Sequence, residues 1–291
     1  MRPADIALGA CATLIWAAAF VATGVGLSLT TPLLFAALRF LVTAAFSVVI
    51  ARPRVGWRAL VAIGLLNGVA QHAGIFLGMA GGVPPGMAAL LAHTQSFFTL
   101  ALAWMLFGER LSPRGIAAFA LAFAGLGLLM IERGSPMPIS AVLLVLGGAI
   151  SAAIGNLVLR QLRGVDPLGV TAWMSVVATP CLLALSLATE GVAPLQNLLL
   201  QWNPTLLLAM SYSGLLAGLV AYAIWARLFG RYRAQQVAPF MLLVPVGAIG
   251  LSAVFLGERL SAWRLGAAAA ILIGLALNAL GGGGQSRAGA R

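Results

Sequence analysis

Lysine is absent from this 291-residue chain, and only six residues are acidic. Charged residues make up 8% of it and hydrophobic ones 62%, whereas a soluble domain carries about 25% charged residues. So little charge cannot cover a water-facing surface, which excludes a soluble globular protein. There are two cysteines, Cys11 and Cys181, each inside an apolar run. They read as buried thiols and exclude a disulfide framework. No cluster of His, Cys, Asp and Glu has metal-ligand spacing, so neither metal nor cofactor is expected. The acidic clusters that membrane transferases use to hold metal and phosphate are missing, as is any Ser–His–acid or Cys–His set, so the chain is not expected to be an enzyme. The net charge of +11 comes from 17 arginines. They fall almost entirely between apolar runs, where they mark a membrane face and not a groove for nucleic acid.

What the chain does have is apolar runs of roughly 20 residues, the length that crosses a bilayer as a helix. In lipid every backbone group must be satisfied internally, by helices or by a closed barrel. Barrel strands would appear as alternating segments of about 10 residues, so the fold class is an all-α integral membrane protein. Ten transmembrane helices are expected, near 5–25, 31–51, 57–79, 85–106, 113–132, 138–160, 167–188, 206–228, 236–256 and 262–281. The first is too long for a signal-peptide core and is read as a span. The longest connection, 189–205, contains "PLQNLLLQWNP", which predicts a segment lying on the membrane surface. With the N-terminus inside, thirteen arginines are cytoplasmic and three, Arg133, Arg259 and Arg264, are external. That bias places both termini in the cytoplasm of a bacterial inner-membrane protein.

"GERLS" occurs twice, at 108–112 and 257–261. Residues 108–130 and 257–279 are identical at 10 of 23 positions, and "GLLNGVAQHAG" (64–74) aligns with "GLLAGLVAYAI" (214–224). The chain therefore reads as two five-helix repeats, 1–134 and 135–281, with a flexible cytoplasmic tail at 282–291. Five is odd, so the second copy is inverted, an arrangement that places a substrate site near the bilayer midplane between the halves. Within the signature, Ser112 and Ser261 suit helix N-caps. Glu109, Arg110, Glu258 and Arg259 read as interfacial charges in tight helical hairpins.

The doubled "GERLS", "PLLFAALRF" (32–40) and "VAPFMLLVPVGAI" (237–249) together resemble the EamA-type drug/metabolite transporters, over essentially the whole chain. "HTQSFFTLALAWMLFGERL" (93–111) is similar to the bacterial exporters of cysteine-type and aromatic amino acids within that group. The resemblance implies a secondary transporter that exports amino acids or related metabolites by alternating access. Related chains often carry proline late in both the fourth and ninth spans. Here Pro245 is present and Ser96 stands at its counterpart, so the two halves are expected to bend differently.

Polar groups inside a span face the bundle interior or a watered cavity. The candidate substrate-binding residues are Gln71 and His72 in the third span, His93 and Gln95 in the fourth, and Tyr222 in the eighth. Asn67, Asn156 and Tyr212 are weaker candidates, and each of these side chains has the alternative of bonding a neighbouring helix. His93 and Gln95 lie about 200° apart on an ideal helix, so one at most is expected to face the cavity squarely. Trp16 and Phe20, at i and i+4, suit an apolar cavity wall. Arg39, inside the second span, reads as a clamp on helix-terminal carbonyls or as a carboxylate binder. No carboxylate occupies a mid-span position, which points to facilitative, uniport-like export. The alternative is drug or other metabolite efflux, proton-coupled through His72 or His93. The partners expected are a small amino acid or amphiphilic metabolite and the lipid bilayer, while the oligomeric state is left open.

Overall fold

The computed structural model describes residues 1–108, 112–131, 137–162, 164–201, 203–232, 234–258 and 261–281. Among them the chain is helical, without a strand. Seven helices are long and apolar enough to cross a membrane: α1 (Pro3–Leu27), α3 (Trp57–Ala80), α4 (Pro85–Phe107), α6 (Ile139–Gln161), α7 (Pro167–Thr189), α9 (Pro204–Arg231) and α10 (Pro239–Leu256). Three further helices are apolar: α2 (Pro32–Val48), α5 (Pro113–Ile131) and α11 (Ala262–Gly281). One further helix, α8 (Ala193–Leu200), forms in the long connection, with Leu199 and Leu200 exposed.

Local chemistry explains most of the boundaries. Proline opens α1, α2, α4, α5, α7 and α9, where its missing N–H costs nothing and its φ is preset for a helix. The doubled signature stops one helix and starts the next. Gly108 and Gly257 take φ of 64° and 66°, the left-handed conformation that ends a helix with least strain in glycine. Ser112 Oγ then accepts the Gly115 N–H at 3.1 Å, and Ser261 Oγ accepts the Arg264 N–H at 3.2 Å. Glu109, Arg110 and Arg259 lie outside the described residues, as does the 282–291 tail.

The helices depart from regularity in several places. In α3 and α9 the stretches Gly64–Ala70 and Tyr212–Val220 are π-helical. The run through α4 breaks at Thr94, between Pro85–His93 and Gln95–Phe107. The start of α10 is a 3₁₀ turn, Ala238–Leu242. Helices α4 and α10 are thus both interrupted, by a one-residue break in the first and a five-residue turn in the second. Ser96 serves the break without proline, its hydroxyl donating to His93 O at 3.1 Å.

Helix α5 packs along α11, α2 along α7, α3 along α6, and α10 against both α1 and α4. Small and aliphatic residues fill these contacts, among them Ala88, Ala152, Ala172, Leu90 and Leu182, all buried. The opposite faces carry exposed Phe107, Phe123, Leu143, Leu208 and Phe255, as lipid contact requires. Cys11 is exposed on α1, which corrects the expectation of a buried thiol. An apolar run marks burial from water, and here lipid-facing surface satisfies it as well as the protein interior.

Two acidic side chains tie helix ends together. Asp5, 2% exposed, accepts the Tyr232 hydroxyl at 2.7 Å and lies 3.7 Å from Arg231, joining the start of α1 to the end of α9. Glu258, just beyond α10, accepts the Gly86 N–H at 3.1 Å at the start of α4 and leaves its second oxygen buried without a partner. Burial raises the Glu258 carboxyl above the usual range, against the downward pull of the Gly86 N–H and Arg264. The native state therefore holds this proton more tightly than the unfolded chain. Its stabilisation is complete below the ordinary glutamate value and is lost as pH rises through the raised one. Glu258→Gln, which keeps an acceptor for Gly86, should flatten the fall in melting temperature between pH 5 and pH 8 in purified protein. An unaltered pH profile would contradict this.

Candidate functional site

A cavity of about 550 Å³ lies among eight helices, α1, α2, α3, α4, α6, α7, α9 and α10, while α5 and α11 contribute nothing to its lining. The volume falls within the range of small-molecule pockets. At one end its lining reaches Leu162 and Val165 in the α6–α7 connection.

Trp16, Phe20, Gln71, His72, His93, Gln95 and Tyr222 all line this cavity, and so does Arg39. His93 and Gln95 both line it although an ideal helix would set them about 200° apart, and the break at Thr94 interrupts the uniform 100° step between them. Asn67 and Asn156 also line it, their amides 3.5 Å apart. Tyr212 does not, and its hydroxyl donates to Ile15 O at 3.3 Å.

The π-helical stretches position several of these groups. They occupy the segments that align between the repeats, and each directly precedes cavity residues: Gln71 and His72 in one case, Tyr222 in the other. A π-turn inserts an extra residue and re-aims the side chains after it. His72 Nδ1 lies 2.8 Å from the carbonyl of Asn67, five residues earlier, and His93 Nδ1 lies 2.8 Å from Ala89 O. A carbonyl only accepts, so this geometry assigns the proton to Nδ1 in both rings. His93 Nε2 is buried without a partner.

An aromatic cluster forms part of the wall. Trp16 meets Tyr222 and Trp225 edge-to-face, each with ring centroids 5.3 Å apart, and its Nε1–H donates to Ala217 O at 3.0 Å. That bond fixes the indole. Trp225, three residues after Tyr222 and so on the same helical face, was missing from the expected site. The i, i+3 pairing was the available signal.

Arg39 corrects a second expectation. No hydrogen bond joins its guanidinium to a backbone carbonyl among the described residues, so it does not clamp a helix end. Its Nε is buried and unpartnered, and Cζ lies 5.0 Å from the Phe40 ring centroid and 5.9 Å from that of Phe76. The same two rings meet His72 at 4.8 and 5.8 Å. Among the described residues no Asp or Glu lies on the cavity lining, and no group of three or more His, Cys, Asp and Glu could hold a metal.

A pocket of this kind inside a bundle of apolar helices fits a multi-pass membrane protein. Comparisons with known proteins agree. The chain is 35% identical over 289 residues to a "Probable amino-acid metabolite efflux pump" of Salmonella typhimurium, covering 97% of this chain and 96% of that protein. It is 33% identical, with the same coverage, to a protein of that name from Escherichia coli. A crystal structure 24% identical in sequence superposes with a TM-score of 0.63 over 96% of this chain and 98% of its own, a likeness of fold. The model of the EamA-like transporter family matches twice, over residues 4–131 and 139–280. The chain belongs to the EamA-like transporter family.

Proposed function

We propose that the protein exports amino acids or closely related small metabolites across the bacterial inner membrane, as a facilitative carrier working by alternating access. The observation that carries this is a single cavity lined from both aligned halves by neutral polar and aromatic side chains. The printed names of the two relatives above support the solute class.

In the architecture we infer, ten spans form two inverted five-helix repeats, 1–134 and 135–281, with both termini cytoplasmic. Rocking of the two bundles about the shared cavity then supplies alternating access. In that orientation Arg160 and the α6–α7 connection face the cytoplasm, so a cavity reaching Leu162 and Val165 is one open inward. Uniport is favoured because ion-coupled carriers place an ionisable acid in the pathway, and none lies on this lining among the described residues. Proton coupling through His72 or His93 is the second reading, favoured by the position of both imidazoles on the cavity.

Counterflow in proteoliposomes tests the proposal. Vesicles loaded with one unlabelled amino acid should transiently accumulate the labelled form with no ion gradient imposed. Absence of counterflow for every amino acid, in folded protein, would refute uniport. Rescue by a proton gradient would select the histidine-coupled reading, and failure to rescue would select efflux of another class of solute.

A further inference from the structure

We propose that the cavity recognises its solute by a carboxylate held on Arg39 and makes no demand on an α-amine. Amphiphilic monocarboxylates whose amine is acylated or absent are then ligands alongside amino acids. This rests on the transport reading above and narrows the chemistry of the same cavity.

The charge inventory of the lining is one-sided. Among the described residues Arg39 is its sole arginine, the two histidines complete its basic groups, and acidic side chains are missing from it. A guanidinium inside a span is costly unless it meets an acceptor. Arg39 meets none among the described residues. The rings of Phe40 and Phe76 give it only cation–π support, and its buried Nε remains unpartnered. The planar fork of N–H donors matches a carboxylate in two parallel bonds. One cation balances one carboxylate and falls short of a phosphate dianion, so a monocarboxylate is the fitting anion.

An ammonium group finds no such reception. With no carboxylate on the lining among the described residues it would meet only neutral acceptors, such as the unpartnered Asn67 Oδ1 and His93 Nε2, while Arg39 opposes it. The apolar part of the ligand has a built wall in Trp16, Tyr222 and Trp225. Carboxylate and apolar tail are both provided for, and the amine is not.

Direct binding to the detergent-purified full chain tests this independently of flux, with isothermal titration of four ligands on one scaffold: L-phenylalanine, N-acetyl-L-phenylalanine, 3-phenylpropanoate and L-phenylalaninamide. The three carboxylates should bind within about tenfold of one another, and the amide about 100-fold more weakly, the size of one charge-assisted bond pair. Arg39→Gln should weaken the carboxylates about 100-fold and bring them level with the amide, and Arg39→Lys should restore part of the loss. Amide binding equal to phenylalanine, a 100-fold penalty for losing the amine, or failure of all three carboxylates to bind would each overturn the proposal. The four-ligand series on the unsubstituted protein decides it even where the arginine variants do not fold. Binding in this pattern without counterflow would refute the uniport reading and leave carboxylate recognition standing.

Discussion

Replacing Glu190 with alanine should destabilise the protein by about 3 kcal/mol, because this carboxylate holds the start of a helix to which it does not belong. Glu190 follows the last turn of α7, yet its oxygens accept the N–H groups of Leu33 and Leu34 at 2.8 and 3.1 Å and the Thr31 hydroxyl at 2.6 Å. The Ser186 hydroxyl adds a fourth bond at 2.7 Å. The first N–H groups of a helix have no intrahelical acceptor, and the positive end of the helix dipole favours an anion there. Each hydrogen bond to a charged group contributes about 1.5–3 kcal/mol. Four bonds on one side chain are not additive, so about 3 kcal/mol is the reasonable total. Glu190→Gln presents one accepting oxygen in place of two and should lose about half as much. Thermal unfolding of the purified full chain, followed by fluorescence-detected size exclusion, measures both. An unchanged midpoint for the alanine variant would mean that this bridge between α2 and α7 contributes nothing.

Gly74→Val should be at least as damaging, at about 3 kcal/mol or more, the upper end of overpacking penalties. Here α3 and α6 touch backbone to backbone. A Cβ at Gly74 would stand 2.6 Å from Leu144 O and 2.9 Å from Gly148 N, and one at Gly148 would stand 2.7 Å from Gln71 O. Small residues permit such approach between helices in lipid. Backbone cannot yield as a side-chain tip can, so valine must drive the helices apart. That movement would also break the 2.9 Å bond from Ser151 Oγ to Leu66 O and displace Gln71 and His72 from the cavity. Gly147→Val is the control, since a Cβ there meets nothing within 4 Å, and its stability should stay within about 0.5 kcal/mol of the parent. Equal melting temperatures for Gly74→Val and Gly147→Val would refute the contact.

Not every feature of the site could be reached by reading along the chain. His72 and Tyr222 were found because a costly polar group in a span needs a watered or bonded place. The π-helical stretches before them carry no propensity signal, since a π-turn differs from an α-turn by one inserted residue that tertiary packing must favour. The joint presence of His93 and Gln95 on the lining was hard to read for the same reason: an ideal 100° step does not apply across a helix that breaks at Thr94. The clamp expected of Arg39 failed because whether a carbonyl lies within its reach depends on neighbouring helices.

Composition by itself determined that this chain lives in lipid as helices, since 8% charge cannot clothe a soluble surface and hydrocarbon leaves the backbone few alternatives. Proline, the left-handed glycines and the two capping serines determined where many helices begin and end, because those effects act within a few residues. Which helices meet, and therefore that Glu190 caps α2, that Arg39 is left without an acceptor and that eight helices surround one cavity, was decided by the tertiary structure alone. Those outcomes depend on contacts between groups far apart in the sequence, such as Glu190 with Leu33, and no local spacing encodes them.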